Sequence, residues 1–184
     1  EEVVITGSYI KSSPQDGASP IVVIDRESID QMGAMSISDI TRNLTANSGA
    51  ENVPDSFTSG SAQGTSNVNL RGLGLGSTLV LVNGRRNTLA GTTANDGSSF
   101  VDTSMIPAIA VERVEVLKEG AASVYGSDAI AGVVNYITRS DYEGTEVGVF
   151  RQSTTSDSQT DTQLSLLHGW SNDSTNVVVA AQYM

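Results

Sequence analysis

Apolar residues along this chain come in short runs broken by Ser, Gly and Asn, with no long periodic stretch. Val3, Val4 and Ile5 make a first β-prone run beside Glu2 and Thr6, and residues 11–19 read as a flexible linker. Residues 21–24 are continuously apolar, which predicts a short strand covered on both faces. Asp25 then suits the N-cap of a helix over 26–32, with Gly33 just past its end. Ser36 and Asp39 carry a capping-box spacing that opens a second helix over 37–44. Ile37, Ile40, Thr41 and Leu44 fall on one stripe of it.

Residues 51–65 and 87–99 are polar and predict long loops. Between them, 67–71 alternates as a strand, with Val68 and Leu70 on one side, and 78–82 predicts a second strand closed by Asn83-Gly84. Residues 104–110 suit a helical or 3₁₀ turn around Pro107. Residues 111–117 set Val111, Arg113, Glu115 and Leu117 against Glu112, Val114 and Val116. A brief helix over 121–125, stopped by Gly126, and a strand over 133–138 follow. The character changes near Asp141. Residues 145–150, 162–170 and 175–183 show period-2 patterning with no helices between them, like the opening strands of an antiparallel sheet or barrel. The expected fold is α+β: a small mixed sheet with short helices over 20–142, an N-terminal segment over 1–19, and barrel-type strands over 143–184. Lacking further neighbours, those last strands are expected to be disordered or paired with another chain.

Composition narrows the function. Cysteine is absent and there is one His, which removes thiolate chemistry and His-cluster metal sites. A net charge of −11 argues against nucleic acid. No apolar run reaches the ~18 residues of a spanning helix, and Glu1-Glu2 is not a signal-peptide start. Only 17% of residues are charged, while Ser and Thr make up 42 of 184. Polarity is therefore carried by small hydroxyl groups. His168, mid-strand beside Trp170, reads as an interface or pore-lining side chain, against a Ser–His hydrolase as the alternative. The spacing Gly72-x-Gly74-x-Gly76 opens no helix, so it is not a dinucleotide fingerprint.

The densest motif runs from Val111-Glu112-Arg113-Val114-Glu115-Val116-Leu117-Lys118 through Tyr125-Gly126-Ser127-Asp128-Ala129 to Gly132-Val133-Val134-Asn135-Tyr136-Ile137-Thr138. Asn69-Leu70-Arg71-Gly72 and Leu79-Val80-Leu81-Val82-Asn83-Gly84-Arg85 precede it in order. Together they resemble the plug domain of TonB-dependent outer-membrane receptors over roughly residues 2–142. Two departures are the Glu119-Gly120-Ala121 and Ala131-Gly132 steps, where the family has Gly-Pro and Gly-Gly.

The resemblance implies a transport receptor of the bacterial outer membrane with about 22 wall strands, its lumen occluded by this domain and its N-terminus periplasmic. It implies no covalent chemistry, no cofactor and no metal. Partners would be TonB, the chain's own barrel, and a small nutrient such as a metal chelate, cobalamin or oligosaccharide. Glu2, Val3, Val4, Ile5 and Thr6 look like a TonB box, suited to adding a strand to a partner's sheet edge; a frayed terminus or first plug strand is the alternative. Arg71, Arg113 and Glu115 correspond to plug–barrel latch residues, with an ordinary pair inside the domain as the alternative for Arg113. Ser59, Gly60, Ser61, Gln63, Ser66, Asn87, Thr92, Thr93, Asn95 and Asp96 fall in loops that would face substrate, or else solvent. Gly72, Gly84, Gly120, Gly126 and Gly132 are expected to be structural, where positive φ or close approach is needed. A secreted β-rich adhesin or carbohydrate-binding module is the remaining functional alternative.

Overall fold

The computed structural model describes residues 6, 21–51, 62, 64–118, 122–153, 160–172 and 174–183. Two sheets form. The first has five strands in the order β1-β4-β5-β2-β3: β1 (Ile21–Asp25), β2 (Thr78–Val82), β3 (Arg85–Arg86), β4 (Val111–Leu117) and β5 (Gly132–Thr138). All its pairings are antiparallel except β2 with β5. Three short helices accompany it: α1 (Arg26–Gln31), α2 (Ile37–Arg42) and α3 (Ala122–Tyr125).

The helix boundaries follow their caps. Asp25 accepts from the Ser28 N–H, and the Ser36/Asp39 box closes in both directions. The α1 and α2 side of the sheet holds the main core: Ile29, Ile37 and Ile40 pack with Val114, Val116, Val134 and the fully buried Tyr136. Burial pushes the Tyr136 phenol up to about 12, while its Oη lies 3.3 Å from Thr41 Oγ1. Leu79, Leu81, Leu117 and Val133 form a smaller cluster on the other side.

Four expectations need correction. First, β1 is an edge strand with Val22 exposed, not a strand covered on both faces. Second, residues 67–71 form no strand; only Leu70 makes an isolated bridge, to Asn47. Asparagine amides take the place of a ladder. Asn69 N–H donates to Asn47 Oδ1, Asn67 Oδ1 accepts from Glu51 N–H, and Asn69 Oδ1 accepts from Gly74 N–H. Short amide side chains offer the backbone this alternative to sheet. Third, the register of β4 against β5 shifts between Val111 and Arg113, so Val111 joins Val114 and Val116 in the helix-side core.

The fourth concerns the C-terminal strands. The described parts of 143–184 are ordered and pair with one another, as an antiparallel meander of β6 (Gly144–Ser153), β7 (Thr160–Asn172) and β8 (Thr175–Tyr183). Each of β6 and β8 is paired along one edge within the sheet. One face of the meander is apolar and open, with Val147, Val149, Leu164, Leu166, Trp170, Val179 and Tyr183 all exposed. The opposite face carries Glu146, Gln163, Ser165 and Gln182, plus the fully buried Leu167.

Candidate functional site

The centre of the sheet face away from α1 and α2 is polar and buried. Arg113 and Glu115 lie on β4, and Asn135 pairs with Glu115 from β5. Glu115 and Asn135 have no exposed surface and Arg113 is 8% exposed. Arg113 Nε donates to Glu115 Oε1 at 3.0 Å, and its Nη1 reaches Glu112 Oε1 at 3.2 Å. The other carboxylate oxygen of Glu115 faces Thr6, the one described residue of the N-terminal segment. Thr6 N–H donates to Oε2 at 3.2 Å, and the Thr6 hydroxyl donates to the same oxygen. Asn135 Nδ2 in turn donates to Thr6 Oγ1 at 2.8 Å, while its Oδ1 accepts from Gly84 N–H at 3.0 Å. The pair anticipated for Arg113 inside the domain is therefore present. Glu2, Val3, Val4 and Ile5 lie outside the described residues.

Arg71 stands at the surface. Its backbone is left-handed (φ 59°), followed by Gly72 at φ 67°. Its Nη2 donates to the carbonyls of Ile130 and Ala131, at 3.0 and 3.2 Å, just ahead of β5. Asn83 and Gly84, both at positive φ, form the two-residue turn between β2 and β3. Gly126 and Gly132 also have positive φ, and Gly120 lies outside the described residues.

The loops divide. Ser59, Gly60, Ser61 and Gln63 lie outside the described residues. Ser66 does not face a cavity. It is fully buried, its Oγ accepting from Thr103 Oγ1 at 2.9 Å and its N–H bonded to Asp102. Asn87, Thr93, Asn95 and Asp96 are exposed, and Thr92 is half-buried. Asp96 Oδ1 accepts from Ser98 N–H and Oγ, which holds its carboxyl below the ordinary carboxylate range. Ala62, Leu75, Ala94 and Phe100 form a small apolar cluster that fastens this loop to the segment before β2. At the loop's base lies a cleft of about 320 Å³ whose lining includes Leu79, Asn87, Leu89, Phe100, Arg86 and Asp128.

Arg86 and Asp128 form an ion pair across that cleft, and Arg86 Nη2 also donates to the Tyr125 carbonyl. Arg86 holds the Asp128 carboxyl below its ordinary value. A depressed carboxyl stabilises the fold above its unfolded pKa of about 4 and stops doing so as pH falls through the lower folded value. Both side chains are about half exposed, which limits the pair to under about 1 kcal/mol. Asp128→Asn should therefore lower the melting temperature by a few degrees at most at pH 7. The difference from the parent should close towards pH 3, as thermal melts across that range would register.

A profile of the TonB-dependent Receptor Plug Domain matches residues 13–133, about two thirds of the chain. This chain belongs to the TonB-dependent receptor plug family. Solved structures agree. The siderophore receptor PirA from Acinetobacter baumannii is 26% identical with a TM-score of 0.62, covering 89% of this chain and 24% of that one. A variant of the ferric enterobactin receptor PfeA from Pseudomonas aeruginosa, in complex with enterobactin, is also 26% identical, with a TM-score of 0.57, covering 84% of this chain and 23% of that one. The unliganded ferric citrate transporter FecA, at 21% identity, shares the fold, with a TM-score of 0.63 over 90% of this chain and 25% of its own. The chain thus spans about a quarter of the length of the receptors it resembles.

Seen as a plug, the five-stranded unit touches the C-terminal strands along one seam that the sequence reading missed. Ala108 N–H donates to Gln182 Oε1 at 3.0 Å. Arg139 Nη1 bonds Glu146 Oε2 at 2.6 Å while its guanidinium stacks 5.4 Å from the Tyr142 ring centroid. Both contacts lie on the meander's polar face. The available signal was Arg139 at the end of the plug motif, with Glu146 on the polar side of β6. His168 lies on the other, apolar face, its Nδ1 2.8 Å from Thr145 Oγ1.

Proposed function

We propose that this chain is the plug and first wall strands of an outer-membrane receptor that imports a ferric chelate of the siderophore class. The plug occludes the lumen, the loop over 87–99 contacts substrate, and the segment around residues 2–6 engages TonB in the periplasm. The observation that best supports this is the two-sided meander: its apolar face suits lipid, and its polar face meets the plug. Outer-membrane barrel strands alternate in this way, apolar outwards and polar towards the lumen. The free edges of β6 and β8 would take further wall strands. The substrate class rests on the siderophore and ferric enterobactin receptors at 26% identity. Arg71 is better disposed than Arg113 to meet a wall carboxylate, because Arg71 is exposed and Arg113 is buried against Glu115.

The reading is tested by uptake. A strain lacking the full-length receptor should lose growth on one ferric chelate as sole iron source. The intact receptor should restore it, and a receptor deleted for residues 2–6 should bind the chelate without importing it. Normal iron uptake with loss of cobalamin or oligosaccharide uptake would overturn the substrate class. Full import by the deleted receptor would overturn the coupling.

A further inference from the structure

The two faces of the meander divide its charges. Arg151 pairs with Thr162, and so shares the apolar face with Val147, Val149, Leu164 and Leu166. Glu146 and Asp161 lie on the opposite face, paired with Leu167 and Gln152. Among the described residues of the three strands, Arg151 is the one charged side chain on the apolar face, and it is the only Lys or Arg after Arg139 in the sequence. It is exposed, and no carboxylate among the described residues pairs with it. The strand connections say which end of the wall it occupies. Residues 173–174 join β7 to β8, whereas residues 154–159 join β6 to β7. Outer-membrane barrels have short periplasmic turns and longer extracellular loops. Arg151 is therefore at the extracellular end, and Trp170, beside the short turn, at the periplasmic end.

The spacing fits a membrane. Trp170 and Thr162 are eight residues apart on β7, which is about 27 Å of strand and about 21 Å of depth at a tilt of ~40°. The apolar band of such barrels is about 25 Å tall and edged by aromatic rings. With Trp170 at the periplasmic edge, Tyr183, opposite Leu164, lies towards the extracellular edge and Arg151 one pair beyond it. At that depth the alkyl stem of Arg151 covers apolar surface and its guanidinium reaches the headgroups. A guanidinium matches phosphate oxygens through two parallel N–H donors. Thr162 stands beside it and Ser153 pairs with Thr160 just above, all exposed, so their hydroxyls complete a polar rim. The outer leaflet of a bacterial outer membrane consists of a glycolipid with phosphates on its glucosamine headgroup. We infer that Arg151, Thr162, Ser153 and Thr160 form a site on the outside of the wall for a phosphate of that glycolipid. Free phosphate lacks the acyl chains that the apolar band below would hold, so the lipid is the ligand. The site rests on the proposed reading of these strands as the receptor's wall, and it fixes the depth of the β6–β7 hairpin in the membrane.

The test uses the full-length receptor in its own membrane, with a photo-crosslinking benzoylphenylalanine placed at Thr160 or, separately, at Val177. Adducts are quantified per folded receptor. Position 160 should trap the phosphorylated glycolipid, and position 177, near the short turn, should trap phospholipid instead. Arg151→Gln should lower the glycolipid adduct at 160 about tenfold, and Arg151→Lys should retain a larger share of it than Arg151→Gln. Enzymatic removal of the glycolipid phosphates should lower the parent's adduct to the Arg151→Gln level. Equal adducts in the parent and in Arg151→Gln, or no effect of removing the phosphates, would overturn the site while leaving the wall reading intact. Glycolipid at 177 and phospholipid at 160 would overturn the orientation, and the site with it. If neither position traps any lipid, the reading of these strands as wall falls as well.

Discussion

Gly132→Ala should destabilise the plug by about 4 kcal/mol, more than any other single-methyl change in its sheet. Gly132 opens β5 at φ 133°, a conformation L-residues rarely adopt. An added Cβ would meet Leu117 O at 2.4 Å and Leu70 Cδ1 at 2.8 Å. The leucine tip could turn aside. The carbonyl cannot, because it belongs to β4, which pairs with β5 through Leu117 and Val133. Relief requires moving one strand against the other, which disturbs the parallel Thr78–Gly132 register as well. Amide hydrogen exchange across β5 should accelerate by roughly two to three orders of magnitude. Gly76→Ala is the control: its nearest neighbour would be Ser99 O at 3.9 Å, and its effect should stay under about 0.5 kcal/mol. Equal exchange in the two variants would show that crowding at Gly132 does not govern the sheet.

Arg113→Ala should cost about 3–5 kcal/mol, because it strands a fully buried carboxylate. Arg113→Lys should recover part of this. An ammonium keeps the charge but cannot reproduce the guanidinium's reach to Glu115 and Glu112 together. The informative variant is the double change Arg113→Met with Glu115→Leu. Apolar replacement of both partners removes the unbalanced charge, so the double should be more stable than Arg113→Ala alone, although the Thr6 N–H and hydroxyl lose their acceptor. Exchange of the β4 amides reports all three. A double variant as unstable as the single would mean that packing around Arg113, and not its charge, holds β4.

These two sites show where the sequence was informative. Short-range signals were legible. Asp25 and Ser36 cap the helices that follow them, Asn83-Gly84 closes the strand over 78–82, and 133–138 forms the expected strand. The motif order identified the plug, and the family profile confirms it. Signals that depend on a distant partner were not legible. Glu115 meets Thr6 across 109 residues, which no local spacing encodes. The 67–71 alternation was read as a strand because its apolar residues do alternate. Its asparagines decided otherwise: Asn69 and Asn67 bond the backbone of Gly49 and Glu51, and Asn47 takes the Asn69 N–H. Ser66 looked like a loop hydroxyl free to meet substrate, yet Asp102 and Thr103 claim it. Polar composition shows that hydrogen bonds will form; tertiary packing decides with which partner.

The strand order also sets how the plug responds to tension. Chain order brings a pull from the N-terminus to Thr6 first and then to β1, which among the described residues is an edge strand paired with β4 alone. Load entering at Ile21 meets the Ile21–Leu117 pair first, then the successive pairs to Asp25–Arg113, so it acts as a zipper and not as a clamp. The rest of the sheet is moored near its far end, where Gln182 holds Ala108 and Glu146 holds Arg139. Strand removal is thus cheapest at the end where force arrives and hardest at the end tied to the wall, so a modest pull would open a sector of the plug and leave the remainder as its own template for closure.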